Sequence, residues 1–213
     1  LGFAQLLELD ERHPLAAAQR PWVGQIQSAG WHLLEMINDV LDLSRIEAGT
    51  MRLQPETLAL PPLITATLAL VEGAAERRGI VLAQQIDEDA TRVHGDATRV
   101  KQILTNLLSN AVKYNHDNGR VHVVARARDD DQVEISVTDT GLGMTAEQIE
   151  SLFQPFNRLG REQSVHEGTG IGLVISQRLA ELMGGALRVR STAGEGSSFI
   201  LSLPKALDAD TVP

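Results

Sequence analysis

The stretch Asn106-Leu-Leu-Ser-Asn110-Ala-Val-Lys113-Tyr114 closes a long amphipathic segment that opens at Asp96, a residue type suited to capping a helix N-terminus. Read as one helix over 96–114, it sets Asn106 and Asn110 one turn apart on a shared face. A carboxamide oxygen is a hard, neutral donor that suits Mg²⁺ still carrying water and phosphate oxygens, and Lys113 can neutralise phosphate as a point charge. Taken alone, two such asparagines are more often a solvated helix face.

Immediately downstream, Val121 to Arg128 and Val133 to Val137 read as two strands joined across the acidic turn Asp129-Asp130-Asp131. The second delivers Asp139-Thr-Gly141-Leu-Gly143-Met144 at its end. A carboxylate there can accept hydrogen bonds from an exocyclic amine, and two glycines let backbone approach a flat ring. Thr145-Ala-Glu-Gln148 has capping-box spacing for a short helix ending near Phe153. A polar, glycine-bounded stretch over 157–168 follows. Gly168-Thr-Gly170-Ile-Gly172-Leu173 then opens a helix running to Met183, which aims unpaired N–H groups at a place where polyphosphate could sit. It is not a Walker motif, since no Gly-Lys-Ser/Thr follows, and no Rossmann unit precedes it. Two strands, Ala186 to Ser191 and Ser197 to Leu203, complete the pattern.

Upstream, the spacing predicts a helix from Pro61 to about Arg78, a strand Ile80 to Ile86 and a short strand Arg92 to His94. Met51 to Pro55 reads as a hinge or short strand. Before it, Trp22, Ile26, Ala29, Leu33, Met36, Val40 and Leu43 step by four and three alternately along a helix reaching Ala48, and residues 1–9 form the last turns of another, the two separated by a breaker region from Asp10 to Pro21. Gly49 is placed to end the long helix. The stripe is widened by Leu34, Ile37 and Leu41, so the hairpin is better buried in a four-helix bundle with a second copy than alone.

The composition supports a globular protein: 213 residues, 43% hydrophobic and 22% charged, with no cysteine. Disulfides, thiolate nucleophiles and cysteine-held zinc are excluded. With 19 basic against 28 acidic residues the net charge is −9, which argues against direct binding to nucleic acid or an anionic membrane. No apolar run approaches the roughly 18 residues of a membrane span, and the first residues suggest a chain cut from a longer one.

Order and spacing raise the odds that each weak motif is real. An asparagine-pair helix, a strand-end Asp-x-Gly-x-Gly, Phe153-Gln-Pro-Phe156, a polar stretch, a glycine-rich helix start and Gly194-Glu-Gly196-Ser-Ser-Phe199 occur once each, in sequence. Over about 57–203 this resembles the ATP-binding domain shared by sensor histidine kinases and the gyrase, Hsp90 and MutL ATPases. Leu1-Gly-Phe-Ala-Gln-Leu-Leu-Glu8 and Ile37-Asn-Asp-Val-Leu-Asp-Leu-Ser-Arg-Ile-Glu-Ala-Gly49 resemble the flanks of a histidine kinase's dimerisation and phosphoacceptor hairpin. The implied fold class is α+β. A helical hairpin (1–48) that dimerises and a linker (49–56) lead into a two-layer α/β sandwich (57–204) with a mixed, mostly antiparallel sheet and a tail (205–213).

By that resemblance Asn110 is the Mg²⁺ ligand and Asn106 its neighbour at the phosphates or a metal-bound water, with Lys113 contacting phosphate. Tyr114 stacks on adenine, Asp139 binds the adenine amine, and Gly141 and Gly143 shape the base pocket. Gly168, Thr169, Gly170, Ile171, Gly172 and Leu173 close over the triphosphate. Phe153 and Phe156 anchor a lid over 157–168, from which Arg158 reaches in as a catalytic contact. Hydrolysing members carry a water-activating glutamate where this chain has Asn106, and an amide cannot accept a proton at neutral pH. The site therefore suits handing the γ-phosphoryl to an outside nucleophile.

None of the six histidines matches the family's phosphoacceptor, which stands about ten residues before the Leu-Gly-Phe segment, so residues 1–213 are not expected to phosphorylate themselves. The resemblance implies ATP and Mg²⁺ as cofactors, a cytoplasmic location, a homodimer through 1–48 and a response regulator receiver domain as partner. The rival readings are a hydrolysing ATPase of the same superfamily and a non-catalytic dimerising nucleotide-binding scaffold.

Overall fold

A computed structural model of the protein describes residues 1–10, 12–128, 130–155, 157 and 170–206. The chain divides into two compact units, the first covering Leu1–Met51 and the second beginning at Arg52. Among the described residues no helix is long and apolar enough to cross a membrane.

The first unit is a helical pair, α1 (Gly2–Leu9) and α2 (Arg20–Glu47). Pro21 lies inside the first turn of α2 rather than ahead of it, a position where its missing N–H costs no hydrogen bond. Gly49, at φ +64, follows the last turn as expected. Ala4 and Val23 are buried, and Leu1 lies close against Gly30. Trp22, Ile26, Trp31, Leu33, Leu34, Ile37, Val40 and Leu41 are exposed, while Met36 and Leu43 are half-buried, so most of the heptad seam is uncovered among the described residues.

The hinge or short strand expected at Met51 to Pro55 forms no strand; the first strand of the second unit is β1 (Glu56–Ala59), which the sequence does not announce. It pairs antiparallel with β3 (Arg92–Gly95), Glu56 opposite Gly95 and Ala59 opposite Arg92, as a separate two-stranded sheet. Between them run α3 (Leu60–Glu76) and β2 (Val81–Ile86). Then come α4 (Ala97–Lys113), β4 (Arg120–Ala127), β5 (Gln132–Asp139), α5 (Ala146–Glu150), α6 (Gly172–Leu182), β6 (Ala186–Thr192) and β7 (Gly196–Pro204).

The main sheet has the order β2-β4-β5-β7-β6. Only β2 and β4 run parallel; every other neighbour is antiparallel. This is the α+β architecture with a mixed, mostly antiparallel sheet that the sequence implied. Alternation builds the core: Val121, Val123 and Ala125 of β4, Val133, Ile135 and Val137 of β5, and Leu201 and Leu203 of β7 are all buried. α3, α4 and α6 supply Ile64, Ile103, Leu107, Ile175 and Leu179 to the helical layer. Lys205 bridges to Val93 and Ala206 is buried, so these two residues extend the packed unit rather than beginning a free tail.

Candidate functional site

The helix that carries the asparagine pair is fixed at both ends. Asp96 caps α4 by accepting the Arg99 N–H at 3.1 Å, and its other carboxylate oxygen accepts the Gln54 N–H at 2.9 Å. Burial pushes the Asp96 carboxyl upward, but the N–H groups of Gln54, Arg99 and Thr98 and the Arg99 charge outweigh it, leaving the group below its ordinary range. Val100, Ile103, Leu104, Leu107, Leu108, Ala111 and Val112 face the core, which turns Asn106 and Asn110 to the half-buried edge.

There Asn106 Nδ2 donates to Ser176 Oγ of α6 at 2.9 Å, and Asn110 Nδ2 donates to Asn106 Oδ1 at 3.4 Å. The first residue of α6 comes so near that a Cβ on Gly172 would sit 2.8 Å from Asn106 Oδ1. Glycine at that position lets the start of α6 meet the amide pair. Ile171, just before it, is buried, Gly172 and Leu173 are half-buried, and Gly170 adopts φ +72. Phe156, Arg158, Gly168 and Thr169 lie outside the described residues, as does all of the 157–168 stretch except Asn157.

At the other end of α4, the Lys113 ammonium stands 5.1 Å from the centroid of the Tyr114 ring, within cation–π range. The Tyr114 carbonyl accepts the Leu142 N–H at 3.0 Å, tying the helix end to the glycine loop after β5. Asp139 ends β5 and is 6% exposed; its Oδ1 accepts the Gly141 N–H at 2.8 Å. Burial raises its carboxyl above the ordinary range, and the Gly141 and Ser197 N–H groups and the His116 charge offset this only in part. A Cβ on Gly141 would lie 2.8 Å from the Asn115 Cα, and one on Gly143, at φ +58, would strike the Thr192 carbonyl. The loop therefore packs against neighbouring backbone so closely that glycine is required at both positions.

Thr145 and Gln148 form the reciprocal capping box of α5, which ends in the turn that holds half-buried Phe153. Sequence reading missed Asn115, 3% exposed, whose side chain joins the Arg120 carbonyl, the His116 N–H and the Thr140 hydroxyl. Its place directly after Tyr114 was the available signal. Ser176 was also missed, and its helical spacing from Gly172 alone could not have revealed a bond to Asn106.

Among the described residues no three histidine or acidic side chains converge on a metal site. A divalent cation would instead take amide oxygens and ligand oxygens, which Mg²⁺ tolerates because it keeps several of its waters. A glycine loop beside a desolvated carboxylate, tied to the end of the helix that carries the amide pair, fits an adenine nucleotide and its metal.

Comparison with known proteins agrees. Residues 95–207 match the model of the histidine kinase-, DNA gyrase B- and HSP90-like ATPase family, and residues 1–49 match the His Kinase A (phospho-acceptor) domain. The chain belongs to this ATPase family, on its histidine kinase branch. It is 41% identical to the sensor protein GacS of Pseudomonas syringae pv. syringae, covering 97% of this chain and 23% of that protein. It is 39% identical to the sensor protein TorS of Escherichia coli K12, covering 100% of this chain and 23% of TorS. Full-length ShkA, solved in complex with AMPPNP, superposes with a TM-score of 0.82 at 33% identity over 98% of this chain and 43% of ShkA. The chain spans about a quarter of the length of the curated relatives it matches.

Proposed function

We propose that this chain is the catalytic portion of a two-component sensor histidine kinase. It binds Mg-ATP, and the γ-phosphoryl passes to a histidine of the parent protein, releasing ADP, before relay to an aspartate on a response regulator receiver domain. Residues 1–48 dimerise, 49–56 link, and 57–204 hold the nucleotide.

The observation that carries the reading is Asn106. It stands where a hydrolase needs a general base, and its amide is engaged by Ser176 and Asn110 instead. An amide can orient phosphates but cannot deprotonate water, so transfer to an outside nucleophile is favoured over hydrolysis. Asn110 would hold Mg²⁺, which supplies charge neutralisation at the β- and γ-phosphates. Asp139, Tyr114 and the Gly141–Gly143 loop bind and orient the base, Lys113 contacts phosphate, Gly168 to Leu173 close over the triphosphate, and Phe153 and Phe156 anchor a lid over 157–168, with Arg158 reaching in.

Calorimetric titration with a non-hydrolysable ATP analogue, with and without Mg²⁺, tests this directly. Asn110→Ala should reduce Mg²⁺-dependent affinity by about tenfold or more, and should abolish transfer to a histidine-bearing hairpin supplied in trans. Steady ATP turnover without any histidine acceptor would favour the hydrolase, and absence of binding by a well-folded dimer would favour the scaffold.

A further inference from the structure

α4 ends without a glycine cap. Its last carbonyls need donors, and the negative end of its dipole needs a cation. Both come from a residue far away in sequence. Arg78, just past the end of α3, sends Nη1 to the Val112 carbonyl at 2.6 Å and to the Lys113 carbonyl at 3.0 Å. Its Nη2 donates to the Asn115 carbonyl at 2.7 Å, and its Nε to Asp117 Oδ1 at 2.9 Å. The main chain joins in: the Arg78 carbonyl accepts the Asn118 N–H, and Gly119 accepts the Val81 N–H.

The pattern of these bonds matters more than their number. Arg78 holds the carbonyls on either side of Tyr114, while the carbonyl of Tyr114 itself is held by Leu142 of the glycine loop. The Tyr114 backbone is thereby gripped between a guanidinium and the glycine loop. Asn115, whose carbonyl Arg78 also holds, reaches Thr140 at 3.2 Å, next to Asp139. A planar fork with fixed donors can span three carbonyls and a carboxylate together; a single ammonium cannot.

The geometry points to Arg78 as a positioning residue for the nucleotide site. It caps α4 through tertiary contact and sets Tyr114 against the Asp139 to Gly143 loop, so that the base end of the site depends on it. This inference rests on the nucleotide-binding reading above. It requires no contact between Arg78 and nucleotide.

Tyr114 is the chain's single tyrosine, so fluorotyrosine incorporation gives one ¹⁹F resonance that reports its setting. The experiment compares wild type, R78M and R78K by that resonance, by thermal melting, and by titration with the non-hydrolysable ATP analogue, ADP and adenosine. Binding by wild type is the control: its absence overturns the nucleotide reading and this inference with it. Given that binding, R78M should weaken all three ligands by about tenfold, on the scale of losing charge-assisted hydrogen bonds. The ratio of ATP-analogue to ADP affinity should stay constant, because the defect lies at the base end, and the resonance should shift. R78K, which keeps the charge and loses the fork, should fall between. If R78M melts lower yet keeps the wild-type resonance and affinities, Arg78 is merely structural and the inference fails. Should R78M not fold, R78K decides alone: wild-type affinity and resonance overturn the inference, and weakened binding of all three ligands supports it.

Discussion

α2 and α4 are both amphipathic, yet they meet opposite fates. α2 has 28 residues and buries a single side chain, Val23, whereas α4 has 17 and buries seven. The difference lies in what surrounds each helix. α4 lies between α3 and α6 and against the central strands β4 and β5, and its polar edge is left for the asparagines. Among the described residues of its unit, α2 has the eight-residue α1 beside it and no other helix, and Trp22, Ile26, Trp31, Leu33, Leu34, Ile37 and Leu41 are exposed. A stripe of that width is stable in water only with a further apolar surface on it. Burial on α4 thus leaves its polar edge to the asparagines, and exposure on α2 leaves an apolar face for the proposed second copy.

Truncating each helix on its apolar face would sharpen that contrast most. Leu107→Ala, at a fully buried position on α4, should cost about 2–5 kcal/mol in denaturant unfolding, whatever the protein concentration. Ile37→Ala should cost little in dilute solution, and its penalty should grow with concentration if α2 pairs with a second copy. Equal, concentration-independent losses at both sites would break the comparison.

A smaller effect separates function from stability inside the second unit. The folded Asp139 carboxyl takes up a proton more readily than in the unfolded chain, so its contribution to stability falls as pH rises from the ordinary carboxylate range through its raised value. Asp139→Asn removes a buried charge. It should raise the melting temperature at neutral pH while weakening the ATP analogue by about tenfold, as expected for loss of a charge-assisted hydrogen bond. Calorimetry and melting on the same sample check both.

The smallest effect is at the helix starts. Asp96→Ala should cost about 1 kcal/mol. In wild type that contribution is complete above the ordinary carboxylate range and is lost as pH falls through the depressed value of Asp96, so the variant should show a shallower acid limb. α2 has no side-chain cap and should show no such limb of its own.

Most elements were legible because their signals are local. The α4 stripe, the β4–β5 hairpin and the Thr145 capping box each lie within a few residues of sequence. Pro21 hid the true start of α2, since a proline reads equally well as a break or as a first-turn residue. β1 escaped because four residues after Pro55 show too little alternation to announce a strand. The parallel pairing of β2 with β4 and the grip of Arg78 on α4 join residues far apart, and no local pattern encodes them. For the site, Asp139 and the asparagines stood out by residue type. Asn115 and Ser176 did not, since their importance lies in the partners that folding brings to them.

The sheet order also has a consequence in time. β4 and β5 are separated by a short turn and can pair as soon as both exist, and β6 and β7 can do the same. β2 leaves the ribosome before either pair, but among the described residues its one sheet neighbour is β4, and α4 must be made before that partner appears. A strand synthesised early therefore joins late, because closing the longer loop costs more chain entropy. Until β4 is in place, β2 has α3 packed against it but both edges open to wrong partners during synthesis.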